Sequence, residues 1–191
     1  MVTQTRHKLW FWPLVVALVV YAILVSDLYF TQDDAYISYR YVANYLNGDG
    51  LVYNIGERIE GITNFGWTVF LMFLGVLGID FLWWSNVVGA LFGAGVIVLT
   101  FLIGERLFGR EGWAYTAVAT LLLGANQSLA YWSVSGLETG AFTFFTMLSL
   151  LLYLRRSWLL VFALAMAVWL RPEGAVVTTL LIIAELLQTR S

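Results

Sequence analysis

Residues 60–78 read EGITNFGWTVFLMFLGVLG, and Ile79 extends the uncharged run to 65–79. This run is apolar enough for a membrane but short for crossing one. A hydrocarbon core about 30 Å thick takes roughly 20 helical residues, with a lower limit near 17. Whether 65–79 crosses decides which side each later charge faces, and so decides the fold.

The surroundings of the run frame that choice. The chain has 191 residues, 61% hydrophobic and only 12% charged, which marks a polytopic membrane protein. Further apolar runs cover 9–26, 82–103, 113–132, 137–154, 157–170 and 174–187. By length, 9–26, 82–103, 113–132 and 137–154 qualify as spans and the last two are short. The basic start (Arg6, His7, Lys8) resembles that of a signal peptide. The apolar stretch is long for one, and Asp27-Leu28-Tyr29 is a poor cleavage site, so 9–26 reads as a retained anchor helix.

Charge settles the topology, because cytoplasmic loops collect Lys and Arg. With the N-terminus inside and 65–79 crossing, only Arg6, Lys8 and Arg171 stay inside. If 65–79 does not cross, Arg106, Arg110, Arg155, Arg156 and Arg190 join Arg6 and Lys8 inside, leaving Arg40, Arg58 and Arg171 outside. The second arrangement obeys the rule. The expected fold is therefore an all-α module of about six membrane-spanning helices. Residues 27–81 form one long extracytoplasmic loop with juxtamembrane helices, and 82–187 supply the remaining spans. Asp33, Asp34, Glu57, Glu60, Glu138, Arg171 and Glu173 then gather at the outer side, while Glu105, Glu111 and Glu185 face inward. Gly93 and Gly95, with Ala90 and Ala94, offer a small-residue face for close helix packing.

Each polar group has a structural reading beside a chemical one. TQDDAYISYRYVANYLNGDG (31–50) reads as a helix of about 14 residues, with Thr31 as N-cap, Asp34 as capping-box acid and Asn47-Gly48 at its end. Capping leaves Asp33 without a structural task. Partly desolvated near a membrane, a carboxylate there is poised to take a proton from a hydroxyl. Glu57 reads as solvated, whereas Glu60 and Asn64 flank the mouth of the embedded helix. In YWSVSGLETGAFTFF (131–145), Ser135 and Glu138 fit a second capping box. WLRPEGAVV (169–177) places Arg171 and Glu173 between two short apolar runs, where charges are costly and face functional pathways. They suit either an ion pair or a guanidinium that grips phosphate.

Several chemistries are excluded or unsupported. No cysteine is present, which rules out disulfides and thiolate metal sites. The single His7 makes no imidazole metal site, and there is no phosphate-cradling glycine loop or nucleophile–base pair. Carboxylate-bound Mg²⁺ or Ca²⁺ stays open. Ten scattered basic residues do not suit nucleic acid.

The stretch DDAYISYRYVANYLNGDGLVYNIGERIEGITNFGWT (33–68) resembles the first extracytoplasmic loop of GT-C fold integral-membrane glycosyltransferases. It is most similar to the bacterial branch that includes the mycobacterial terminal arabinofuranosyltransferase. LFGREG (107–112), SGLETGAFTFF (135–145) and RPEG (171–174) continue the likeness in order. The resemblance implies transfer of a sugar from a polyprenyl-phosphate donor to a cell-envelope glycan, lipid or protein acceptor. The reaction would take place at the outer face of the bacterial plasma membrane, often without a metal. It implies Asp33 or Asp34 as general base, Glu60 and Glu138 as further acidic site residues, and Arg171 as a partner of the lipid phosphate. Family members are several hundred residues long, so the chain is expected to be the N-terminal part of a longer enzyme. Two other classes stay open. One is a non-catalytic protein that binds lipid-linked glycans or partners a larger transferase. The other is a proton-coupled transporter using Arg171, Glu173 and Glu138, although transporter sites favour the bilayer midplane.

Overall fold

A computed structural model describes residues 10–57 and 59–189. Arg6, Lys8, Arg58 and Arg190, used in the charge count, lie outside the described residues, as does His7. Among the described residues there are nine α-helices and no strand: α1 (Trp12–Asp27), α2 (Ala35–Leu46), α3 (Phe65–Val76), α4 (Phe81–Phe108), α5 (Trp113–Gly124), α6 (Gln127–Ser133), α7 (Thr139–Leu154), α8 (Leu160–Leu170) and α9 (Gly174–Thr189). Of these, α4 alone is long and apolar enough to cross a membrane by itself.

Local chemistry explains most of the boundaries. Pro13 opens α1, where its missing N–H costs nothing. The Asp80 carboxylate caps α4 by accepting from the Leu82 and Trp83 N–H groups. Gly109, at φ 59°, closes that helix. Pro172 disfavours helical backbone in the residue before it, so Arg171 is extended (φ −150°, ψ 136°) and α8 stops there. The chain restarts at Gly174, where a Cβ would lie 2.5 Å from the Ala167 carbonyl carbon; α9 therefore leaves hard against the last turn of α8.

Three expectations change. The 113–132 run is not one span: it breaks at Ala125–Asn126, where the Asn126 side chain accepts from Leu129 N–H and caps the separate helix α6. Helix α2 begins at Ala35 rather than just after Thr31, and it has 12 residues. The small-residue face of α4 is split. Gly93 lies against Tyr21 and Ser133, while Gly95 lies against Phe144 on the other side. The 12-residue α3 rises only about 18 Å, well short of a hydrocarbon core.

Helix α4 is the axis. It packs against α5, α6 and α1 on one side and α7 on the other, and α8 and α9 continue outward from α7. Helices α2 and α3 pair with each other, and α3 also rests on α8. The largest apolar cluster joins them, with Val42, Trp67, Leu71, Ala141, Ala163 and Ala167 buried together. A second cluster joins α1, α4 and α6 through Ala17, Tyr21, Ile97 and Ala130.

Two sets of ties mark opposite ends of the bundle. At one end, Trp10 donates to the Glu105 carboxylate, and Arg156 pairs with Glu185. At the other, Asn86 on α4 donates to the carbonyls of Phe30 and Val134, which pins the loops entering α2 and α7. Glu105 and Glu185 thus lie at the end of the bundle away from Asn86.

Close approach along α4 yields a stability prediction. A Cβ on Gly89 would sit 2.2 Å from the Ser133 carbonyl oxygen, a backbone atom that cannot swing aside. Gly89→Val is expected to destabilise the bundle by about 1–3 kcal/mol. Leu91→Ala, at an exposed position on the same helix, serves as the control. Thermal unfolding in detergent decides it, and equal midpoints for the two variants would refute the packing.

Candidate functional site

The polar centre lies where four helix ends meet: the starts of α2, α3 and α7 and the end of α8. Glu138 ends the turn before α7 and is 6% exposed. Its Oε2 accepts from Asn64 Nδ2 at 2.8 Å, and its Oε1 faces Arg171 Nε at 3.5 Å. A buried carboxylate needs such partners, because leaving it unpaired costs several kcal/mol.

Each partner is itself held. Asn64 precedes α3, and its Oδ1 accepts from Ser38 Oγ and Thr68 Oγ1, both at 3.2 Å. Arg171 is turned inward by the extended backbone before Pro172. Its Nη2 meets Glu173 Oε1 at 3.4 Å, and its guanidinium lies 5.8 Å from the centre of the Phe142 ring. One guanidinium thus serves two carboxylates, a buried one on α7 and an exposed one at the α8–α9 junction.

The turn carrying Glu138 depends on Gly136, whose φ of +82° suits glycine. A Cβ there would fall 2.3 Å from the Tyr39 hydroxyl. Trp67 Nε1 donates to the Gly136 carbonyl at 3.0 Å. Gln32 N–H donates to Ser135 O at 2.9 Å, which seats the 31–35 segment on the same turn. Tyr39 shares a 2.5 Å hydrogen bond with Ser85, and burial pushes its phenol up to about 12. Its hydroxyl therefore keeps its proton through the neutral range.

Glu138, Asn64, Arg171 and Glu173 are thus brought together. Asp33 and Asp34 sit beside this cluster, across the Gln32–Ser135 bond, and are exposed. Asp33 is therefore not desolvated as expected. Its Oδ1 accepts from Gln32 Nε2 at 2.9 Å and from Asp34 N–H at 3.1 Å. No hydrogen bond or ion pair among the described residues joins either aspartate to Glu138 or Arg171. Glu60 is exposed and stands apart, in a loop pinned by Tyr41. The Tyr41 hydroxyl accepts from Gly61 N–H and donates to Ile59 O.

Both capping boxes are absent. Thr31 bonds Asn86, not the start of α2, and the Asp34 side chain makes no cap. A fully buried Asn86 needs partners more than an exposed helix end does, and Thr31 is one of them. The Glu138 side chain likewise turns away from its helix end toward Asn64 and Arg171. Asn86, Ser85 and Ser38 belong to no motif in the sequence, and Tyr39, whose spacing with Tyr36, Tyr41 and Tyr45 suits a membrane interface, is instead buried. The signal for the first two was available: Ser85-Asn86 is a polar pair inside the otherwise apolar FLWWSNVVGALF (81–92). Among the described residues, no cluster of three or more His, Cys, Asp or Glu could hold a metal ion.

The ion pair makes a testable asymmetry. Arg171→Met leaves Glu138 buried without its cation; with the arginine side chain about a third exposed, the expected cost is about 1–3 kcal/mol. Adding Glu138→Gln removes the orphaned charge and should return most of that loss. Denaturant unfolding of both variants in micelles tests the coupling. A single variant as stable as the native chain contradicts it.

No protein-family model, no curated protein and no solved structure matches this chain.

Proposed function

We propose that the chain is a catalytic module of a membrane glycosyltransferase, moving a sugar from a polyprenyl-phosphate donor to a cell-envelope acceptor. The observation that carries this reading is the pairing of two unlike features at one end of the bundle. A guanidinium is held by a buried carboxylate, and a few residues away an exposed acid pair faces outward.

On this reading α1, α4, the broken α5–α6 pair, α7, α8 and α9 make about six crossings of a bacterial plasma membrane. The Asp33–Glu138–Arg171 end is extracytoplasmic, and α2 and α3 lie at the membrane surface. The 12-residue length of α3 supports its lying in the interface.

The chemistry needs three acts. Asp33 or Asp34 takes the proton of an acceptor hydroxyl as its oxygen attacks the anomeric carbon. The bond from that carbon to the phosphate oxygen breaks, and polyprenyl phosphate departs with the bonding pair. Arg171 then meets charge growing on the phosphate, with its fork held in place beforehand by Glu138. Glu173, exposed and joined only at 3.4 Å, is the counter-ion that the phosphate displaces. No metal is required by this arrangement.

Asp33→Asn and Asp34→Asn, singly and together, test the base. Membranes carrying each variant are incubated with a panel of polyprenyl-phosphate sugars, and sugar release is followed. Transfer is expected to fall at least about 100-fold in the double variant, within the range for a lost general base. Native-rate transfer by the double variant sinks the mechanism. Glycan binding without transfer by the native chain would favour a binding protein instead.

A further inference from the structure

Beside the acid pair runs a groove that the mechanism above does not use. Its volume is about 540 Å³, within the range of roughly 300–1,000 Å³ common for small-molecule sites. One wall is a single stripe of α2, formed by Tyr36, Tyr39, Arg40 and Ala43. These positions are spaced i, i+3, i+4 and i+7, so they stack on one helix face. The other wall brings Tyr53 and Asn54 from the loop after α2, with Phe81 and Leu82 from the start of α4.

The wall is aromatic and continuous. Tyr36 meets Tyr39 edge-on at 5.4 Å, and Tyr39 meets Phe81 at 5.9 Å. Tyr36 is 56% exposed and Tyr53 is 45% exposed, so their ring surfaces are open to an occupant. Arg40 is fixed through Nε, which donates to Tyr53 O at 3.3 Å. Its terminal nitrogens enter no ion pair among the described residues. Asn54 commits its Nδ2 to Glu57, and its amide oxygen accepts no hydrogen bond among the described residues.

We propose that this groove is the acceptor subsite and that it takes a saccharide ring. Ring faces for carbon-bound hydrogens, rimmed by hydroxyls, a guanidinium and an amide oxygen, match a sugar's apolar face and polar edge. An acyl chain would use the rings and leave the guanidinium and amide unsatisfied.

The groove also points somewhere. Before α2, the N–H groups of Ala35, Tyr36 and Ile37 bond the carbonyls three residues back, at Gln32, Asp33 and Asp34. Such 3₁₀ turns eclipse residues i and i+3, which lines Asp33 up with Tyr36 at the groove's end. Asp34 lines up with Ile37 instead, which is not part of the groove. A sugar stacked on Tyr36 therefore presents its hydroxyl to Asp33, and the groove selects Asp33 as the base.

This inference rests on the transferase reading, and one experiment separates the two. The full chain in nanodiscs is titrated with neutral pentose and hexose oligosaccharides by saturation-transfer NMR, and acceptor KM is measured in parallel. Tyr36→Ala and Arg40→Ala alter exposed side chains, and Trp158→Ala, 81% exposed on the helix-free turn before α8, is the control. Each groove variant is expected to weaken saccharide binding and raise acceptor KM about three- to tenfold, with donor KM unchanged and the control silent. Unchanged binding and KM in the Tyr36→Ala, Arg40→Ala double variant overturns the subsite while transfer stands. Groove-dependent binding with no transfer from any lipid-phosphate sugar overturns the transferase reading and keeps the saccharide site. No saturable binding by the native chain overturns the subsite outright.

Discussion

A carboxylate buried among apolar helices dictates the architecture of one end of this molecule. Glu138 must be compensated, and each partner it finds is a helix terminus that had to be delivered there. Asn64 comes from the residue just before α3 and Arg171 from the residue just after α8. The Gly136 turn, buttressed by Trp67, sets the carboxylate's direction. Removing the acid's partners would leave α3, which is too short to stand in a membrane alone, without its polar anchor. The placing of α3 and the charge cluster are therefore one structural problem with one solution.

The two acidic features at this end differ in kind. Glu138 is buried, satisfied and rigid, and what it controls is the orientation of a guanidinium. Asp33 and Asp34 are open to solvent, and their bonds are local ones to Gln32 and to their own backbone. On the proposed reading the two differ as they should: a proton acceptor needs access to substrate, and a group that positions a cation needs fixity. They stand on separate elements, whose segments are joined by the Gln32–Ser135 backbone bond and by Asn86.

How much of this was legible beforehand follows from which forces are local. The all-helical character was readable, because long apolar runs leave little but helix to form. The break at Arg171 was readable too, since Pro172 acts on its immediate neighbour. The capping boxes misled because capping is a competition: Thr31–Asp34 and Ser135–Glu138 carry the right spacing, yet buried Asn86 takes the Thr31 side chain, and Asn64 and Arg171 take that of Glu138. That contest is decided by residues remote in sequence, Asn86 for Thr31 and Asn64 and Arg171 for Glu138, which no local pattern encodes. The break at Asn126 failed for another reason. Hydropathy registers whether 113–132 is apolar, not whether its backbone is continuous, and one Asn able to cap is enough to start a new helix.

The helix breaks themselves complete the site. An α-helix ends with unsatisfied carbonyls and a partial negative charge, and begins with unsatisfied N–H groups and a partial positive one. Arg171 stands at the C-terminus of α8 and Glu138 at the N-terminus of α7. Each charge therefore lies at the helix end whose dipole favours it, and the two ends face each other. Continuous helices through these positions would have carried Arg171 and Glu138 mid-span, without dipole support and with their backbone groups already bonded. The short helices are what allow oppositely charged side chains to meet at a junction of helix ends. Ending α8 before Pro172 sets the pair where both dipoles favour it and leaves the Arg171 side chain about a third exposed beside Glu173.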